Sequence, residues 1–404
     1  MATILVLGGG IGGATAADAL RGRLDRRHRI ILVEREAEQV FAPSLLWLMV
    51  GQRRPAAISR PLAKMLRPGI EIVRSEVRGL DPSARRVATD AGELSGDALV
   101  IALGADLAPE AVPGYADAAH DFFTLAGAER FASALASFSG GRIVVAVSGL
   151  PFKCPAAPYE AAFLIDAELR RRGLRDRSTI ELHTPEPAPM PVAGPVLGQA
   201  VIGLLAQRGI GYFPGHPVEG YDAGARQVRF SDGSAVDFDL LAAVPPHRPP
   251  AAVAASGLAG PSGWIPVERE TLETSAANVF AIGDVTAITL ANGKLLPKAG
   301  VFAHAEAEVV AAQIAARLGS GTAAGRFDGH GYCWVELGGG VAGFAAGDFF
   351  ATPDPAVVLR RPGRTWHAGK VLFERYWLSR GLEHELAGAG LRLGSALLRV
   401  PARP

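Results

Sequence analysis

Cysteine is nearly absent: the 404-residue chain carries two, Cys154 and Cys333, lying 179 positions apart. Two thiols exclude a disulfide-built scaffold for a chain of this size, and neither stands in a C-x-x-C spacing that would hold a metal, so no metal site is expected. Excess charge is missing as well. Lys plus Arg (41) against Asp plus Glu (40) leaves a net +1, which gives no electrostatic footing for nucleic acid as a partner. No run of about 18 apolar residues escapes interruption by Gly, Pro or charge, which argues against a membrane-spanning helix. The chain opens on MATILVLGGG, a strand running straight into a glycine loop. No cleavable leader is therefore expected, and the location expected is cytoplasmic, with a peripheral position on the inner face of the cell membrane as the variant.

With 49% hydrophobic residues, the chain has material for large cores, and its length suits two folds plus a tail. Thr3 to Leu7 reads as a buried strand, followed by Gly8, Gly10 and Gly13 in G-x-G-x-x-G spacing and an alanine-rich helix. A second strand, Arg29 to Val33, ends at Glu34, which stands 21 positions after Gly13. Strand, glycine turn, helix, strand and acid in that order are the marks of a dinucleotide site. The glycines let backbone approach the pyrophosphate, and the carboxylate accepts hydrogen bonds from the ribose. Phe41 to Gly51 (FAPSLLWLMVG) is apolar and interrupted by Pro43; it reads equally as a segment packed against a ring system and as a core helix starting at Ser44. Ile70 to Arg74 and Arg86 to Thr89 resemble strands of a small sheet, and Ala98 to Gly104 is a buried strand whose final glycine allows close passage of a nucleotide.

A second strand–helix unit begins at Arg142 to Val147, with its helix at Ala157 to Arg172. The turn between them, SGLPFKCPAAPYE, is where a second nucleotide fold would carry glycines against the pyrophosphate of NADH. Pro151, Phe152, Lys153 and Pro155 obstruct that approach, and the turn carries Cys154 instead. The following strand ends in His183, Thr184 and Pro185 with no acidic residue, so the second nucleotide mark is missing too. Near the end of the nucleotide folds, NVFAIGD places Gly283 and Asp284 at a strand terminus, where a carboxylate suits the polyhydroxyl ribityl chain of FAD. Lys298 in LLPKAG precedes a long helix, where it and the helix N-terminus are placed to stabilise negative charge on a reduced flavin. After Arg326 the composition shifts toward Gly and aromatics. The tail from Lys370 mixes apolar residues with Arg375, Arg380, Arg392 and Arg399, a stripe that fits an interfacial helix on a membrane, a helix capping the first fold, or a homo-oligomer contact.

The motifs GGGIGG with Glu34, FAPSLLWLMVG, FKCPAAPYEAA, VFAIGDV, LPKAG and GYCWVELGGG together resemble the sulfide:quinone oxidoreductase family and the related flavoprotein subunit of flavocytochrome c sulfide dehydrogenase. The resemblance implies an α/β architecture of two Rossmann-like folds: a discontinuous FAD-binding unit (1–105 and 251–325), a second unit (106–250) without the NAD fingerprint, and a C-terminal segment (326–404). It implies FAD held through Gly8, Gly10, Gly13, Glu34, Ser44, Gly104, Gly283, Asp284 and Lys298. It also implies Cys154 and Cys333 facing each other beside the flavin, and a quinone pocket from the C-terminal half, for which Phe302, Trp334, Phe344 and Phe349 are the candidates. Members often have a third cysteine, which this chain lacks, and FAPS has no cysteine for a covalent tether, so FAD is expected to be non-covalent.

In that reading sulfide attacks the Cys154–Cys333 pair in its oxidised form and the electrons pass through the flavin to a quinone. Lys153 and the helix N-terminus after Cys154 predict a lowered thiol pKa, and Glu160 is the candidate proton carrier beside a plain structural role. Two rivals share the fold: a type II NADH:quinone oxidoreductase, against which the glycine-free stretch Leu150 to Pro155 argues, and a non-enzymatic FAD-binding redox sensor.

Overall fold

The computed structural model describes residues 1–321 and 325–400; residues 322–324 and 401–404, which fall within the first and last expected units, lie outside the described residues. In chain order, β1 (Thr3–Leu7) leads through a glycine turn into α1 (Ile11–Arg23) and β2 (Arg29–Glu34). A one-turn 3-10 segment and the short α2 (Leu45–Met49) follow, then β3 (Glu71–Arg74) and β4 (Ala98–Ile101). The chain crosses to β5 (Gly141–Val147), α3 (Ala157–Arg171), β6 (Ser178–His183), β7 (Gly211–Phe213) and β8 (Leu240–Val244). It then returns through β9 (Val279–Ala281) and α4 (Gly300–Arg317), and ends in β10 (His330–Gly338), β11 (Val341–Asp348), β12 (Ala356–Gly363), α5 (Arg364–Leu378) and α6 (Leu382–Leu398).

Two parallel sheets organise the body, ordered β9-β4-β1-β2-β3 and β7-β6-β5-β8. Their strands read as unbroken apolar runs because helices and small antiparallel sheets cover both faces: Ile4 through Leu7 and Ile143 through Val147 are fully buried. The outward and return crossings between the sheets pair with each other, Asp106 and Leu107 against Arg248 and His247. The expected small sheet is only half observed. Arg86–Thr89 does lie in an antiparallel three-stranded sheet, whereas β3 joins the edge of the main sheet, pairing parallel with β2 from Ile31↔Glu71 to Glu34↔Arg74. Backbone pairing along a free sheet edge decided that placement, and side-chain pattern does not encode it.

The C-terminal part adds an antiparallel sheet, β10-β11-β12, that packs on α3; a side chain at Gly338 would collide with Ala167. Helix α5 then lies across the body with an unusual inward face. His367, Lys370 and Glu374, spaced at i, i+3 and i+7, sit on one side of the helix, and Lys370 and Glu374 are buried. No described helix is long and apolar enough to cross a membrane.

Candidate active site

The first glycine turn opens on a cavity of about 570 Å³ at the C-terminal ends of β1, β2 and β4, the position that parallel α/β sheets use for ligands. Gly8, Gly10, Glu34, Gly104, Gly283 and Asp284 all line it. The glycines divide by role. A side chain at Gly10 or Gly104 would meet no protein atom within 4 Å, so what those positions leave room for is an occupant of the cavity. At Gly8 and Gly13 a Cβ would strike backbone, at 2.4 Å from the Ala102 carbonyl and 1.8 Å from the Gly8 carbonyl respectively. Gly13 does not line the cavity; its place in the motif serves the close packing of α1 on β1. The Glu34 carboxylate is held at the end of β2 by the amides of Gly9 and Glu36, the latter at 2.8 Å. Open glycines at a helix start and a positioned acid form a cradle that fits a dinucleotide.

Cys154 sits in the turn before α3 with φ +56°, a left-handed conformation uncommon for cysteine, and its amide donates to the Lys298 carbonyl at 2.7 Å. Cys333 lies on β10. Both are free thiols, and both line the first cavity and a second one of about 290 Å³ on its far side. The second cavity is almost wholly apolar; apart from the thiols, its ionisable lining is Glu186, Lys298 and Tyr332. The two cysteines thus stand in the partition between a dinucleotide-shaped space and an apolar one. They are close enough for the charge of Cys154 to raise the pKa of Cys333.

The expectation of a lowered Cys154 pKa does not hold. Burial pushes the thiol up to about 12 and the Glu160 carboxylate adds to the shift; Lys370 and the Ala157 amide oppose it without prevailing. Burial and Glu160 also raise Cys333. Lys153 acts on Asp284 and His247 rather than on the sulfur, so adjacency in sequence gave no proximity of charge.

Glu160 is not a surface residue of the first helical turn. It is 2% exposed, and its Oε1 accepts from Lys370 Nζ at 2.7 Å and from the Glu336 amide at 2.9 Å. Burial raises its pKa, with Lys370 pulling it down. Burial works against the Lys370 ammonium in turn, but Glu160 and Glu336 outweigh that and hold its pKa above the ordinary value. Glu160 and Lys370 both line the first cavity.

Ser44 and Phe344 fall outside both cavities, whereas Lys298 lines both. Ser44 is buried and donates to Glu374 at 2.6 Å, away from the cavity; its neighbours Pro43, Leu45 and Leu46 form the wall instead. Lys298 is buried with its ammonium donating to the carbonyls of Asp284 (2.5 Å) and Thr286 (3.2 Å), and lying 3.5 Å from the centre of the Trp264 ring. Burial lowers its pKa to about 8. Its amine braces the Asp284 turn, and the residue forms part of the lining of both cavities. The four aromatic candidates separate: Phe302 and Phe349 line the apolar cavity, and Trp334 lines the first one. Phe344 lines neither, being stacked between Tyr332 and Trp366. The aromatic lining of the first cavity comprises Phe122 and Phe123 together with Tyr332, Trp334, Phe373 and Trp377, with Phe373 in contact with Trp334 at 5.0 Å between centroids. Phe373, Trp377 and Lys370 escaped notice in the sequence because they lie in a tail whose arginines dominate its pattern. The i, i+3, i+7 recurrence of His367, Lys370 and Glu374 was the available signal.

The model of the pyridine nucleotide-disulphide oxidoreductase family matches residues 2–309. The chain belongs to that family. Among its relatives is the sulfide-quinone reductase of Aquifex aeolicus, 27% identical over 406 residues, covering 93% of this chain and 90% of that protein. The mitochondrial sulfide:quinone oxidoreductase of Mus musculus is 26% identical over 303 residues, covering 70% of this chain and 65% of the relative's own length. The X-ray structure of the Aquifex aeolicus sulfide:quinone oxidoreductase superposes with a TM-score of 0.81 at 26% identity, covering 93% of this chain and 90% of that one. Membership of this oxidoreductase family agrees with the two Rossmann-like folds and the nucleotide cradle, and it implies a flavin.

Proposed function

We propose that this protein oxidises sulfide to sulfane sulfur at Cys154 and Cys333 and passes the electrons through non-covalent FAD to a quinone. The observation that carries the reading is the partition: two cysteines far apart in the chain both line a nucleotide cavity and an apolar cavity. FAD would be held by the backbone at Gly8, Gly10, Gly104 and Gly283 and by Glu34 and Asp284, and when bound it supplies the two-electron redox centre. The apolar cavity would receive sulfide and retain the growing sulfur product. Hydrosulfide attacks one sulfur of the oxidised pair, making a persulfide on one cysteine and releasing the other as a thiolate. Burial makes that thiolate a costly anion, and Lys370, which lowers the pKa of both cysteines, is the cation that compensates it. The quinone would enter against Trp334, Phe373 and Trp377, with Lys370 in reach of its oxygen.

Helix α6 supports delivery from a lipid surface. Leu382, Leu386, Leu393 and Leu397 are each more than 60% exposed and fall within about 60° of one another around the helix. Exposed Arg380, Arg392 and Arg399 lie beside that stripe, the composition of a helix that lies in the membrane interface.

The test is an anaerobic absorbance titration of the flavin-loaded protein. Sulfide should bleach the yellow chromophore and NADH should not, because the turn at Leu150 to Pro155 has no glycine to admit a second pyrophosphate. A Cys154→Ala protein that bleaches with sulfide at the wild-type rate would refute the assignment, and bleaching by NADH alone would favour an NADH:quinone reductase.

A further inference from the structure

Behind the cavity wall, three acid–base side-chain pairs join α5 to the body, and they differ in kind. Glu374 is gripped by Arg53 through several hydrogen bonds at 2.8 to 3.1 Å and by Ser44; the guanidinium is a permanent cation, which seals that turn. Lys370 meets Glu160 at the cavity. The third contact pairs Glu336, 1% exposed, with a histidine: Nδ1 of His367 donates to both carboxylate oxygens at 3.0 and 3.1 Å. The His367 side chain is 29% exposed, and neither residue lines either cavity. So the pair begins at solvent and ends beside the group that forms the wall, because the Glu336 amide donates to Glu160 and the Glu336 carboxylate acts electrostatically on Lys370.

We infer that Glu336 and His367 form the entry by which a proton from solvent reaches Lys370 and Glu160 for reduction of the quinone. This inference rests on the function proposed above, and it follows from the proton balance of that reaction. Two hydrosulfides yield HS₂⁻, one proton and two electrons, whereas a quinone takes up two electrons and two protons to become the quinol. The sum, 2 HS⁻ + Q + H⁺ → HS₂⁻ + QH₂, needs one proton that sulfide does not supply. An imidazole that touches water on one side and a buried carboxylate on the other is the side chain suited to import it at neutral pH. The charged groups that face this route are Glu336 from β10, Glu160 from α3 with Cys154 and Cys333 beyond it, and Lys370 on α5 itself. From α2 the neighbour is the Trp47 ring, edge-on to His367 at 5.8 Å and covered on its other approach by Arg53 at 4.3 Å. Of the groups facing the route, His367 is the solvent-exposed one that hydrogen-bonds Glu336.

The test separates the two half-reactions in flavin-loaded protein. In His367→Gln, sulfide-driven bleaching should keep its rate within about twofold, because that half needs no imported proton, while reoxidation by a soluble quinone should slow about tenfold at alkaline pH and less at acid pH. Imidazole added to His367→Ala should restore much of the lost rate, which a purely structural role would not allow. Independently of turnover, ¹⁵N-histidine spectra of the protein without flavin should show the His367 resonances, assigned by their loss in His367→Gln, shifting in Glu336→Gln. Unchanged quinone reoxidation with an unchanged pH profile would overturn the relay and leave sulfide oxidation standing. A parallel loss of both half-reactions, or no rescue by imidazole, would assign His367 to structure alone. A wild-type protein that sulfide does not bleach would remove the proposed function and the relay together.

Discussion

Replacing Lys370 by methionine tests the electrostatics of the site most directly. The Lys370–Glu160 pair is buried, at 4% and 2% side-chain exposure, and closes at 2.7 Å. Removing one member of a buried pair leaves an uncompensated charge, which typically costs about 3–5 kcal/mol. Here the loss should depend on pH. Burial already raises the Glu160 pKa, and Lys370 is the largest influence lowering it, so the variant raises it further. A carboxyl whose folded pKa lies above its unfolded value binds more protons in the folded state, so its contribution is present at low pH and lost as pH rises through the folded pKa. Lys370→Met should therefore be close to neutral in acid, where Glu160 is protonated, and approach the full penalty above neutrality. With an unfolding entropy of about 2.1 cal/mol/K per residue, the 404 residues give roughly 0.8 kcal/mol/K, so the fall in Tm at alkaline pH should be about 4–6 °C. Melts recorded across pH for the wild type, Lys370→Met and Lys370→Met/Glu160→Gln decide the matter. The double variant should recover much of the loss, since the stranded charge is gone. A penalty that is flat with pH, or a double variant no more stable than the single one, would refute the reasoning.

Other consequences are accessible with simple assays. Gly10→Ala places a methyl where no protein atom lies within 4 Å, so its melting temperature without flavin should stay near wild type while FAD affinity falls at least about tenfold; a variant that binds FAD normally would remove Gly10 from the cradle. Leu386→Asp/Leu393→Asp removes apolar surface that is 63% and 62% exposed. It should abolish co-sedimentation with anionic vesicles and leave turnover with a water-soluble quinone within about twofold. Retained vesicle binding would place the membrane contact elsewhere.

Much of the scaffold was legible in the chain, for local reasons. Parallel strands covered on both faces must be apolar throughout, which made β1, β4 and β5 visible as runs, and the glycine spacing before α1 reports a close backbone approach that other residues cannot make. The Cys154 turn was equally legible through what it lacks. Side-chain environment was not. Lys298 had the sequence context of a ligand-facing cation and is turned onto the carbonyls of Asp284 and Thr286. Ser44 had the position of a cavity residue and is claimed by Glu374, 330 positions later.

The amino-acid order determined two nucleotide-type folds, one open glycine cradle, and a cysteine where the second cradle would be. Only the tertiary structure decided the chemistry around that cysteine. It set the half-buried thiols in the partition between two cavities, where desolvation and Glu160 raise their pKa although the neighbouring Lys153 suggested the opposite, and it brought Lys370 to Glu160 across 210 positions. The physical reason is that a pKa is set by desolvation and by charges within a few ångströms, and both depend on which distant elements pack together.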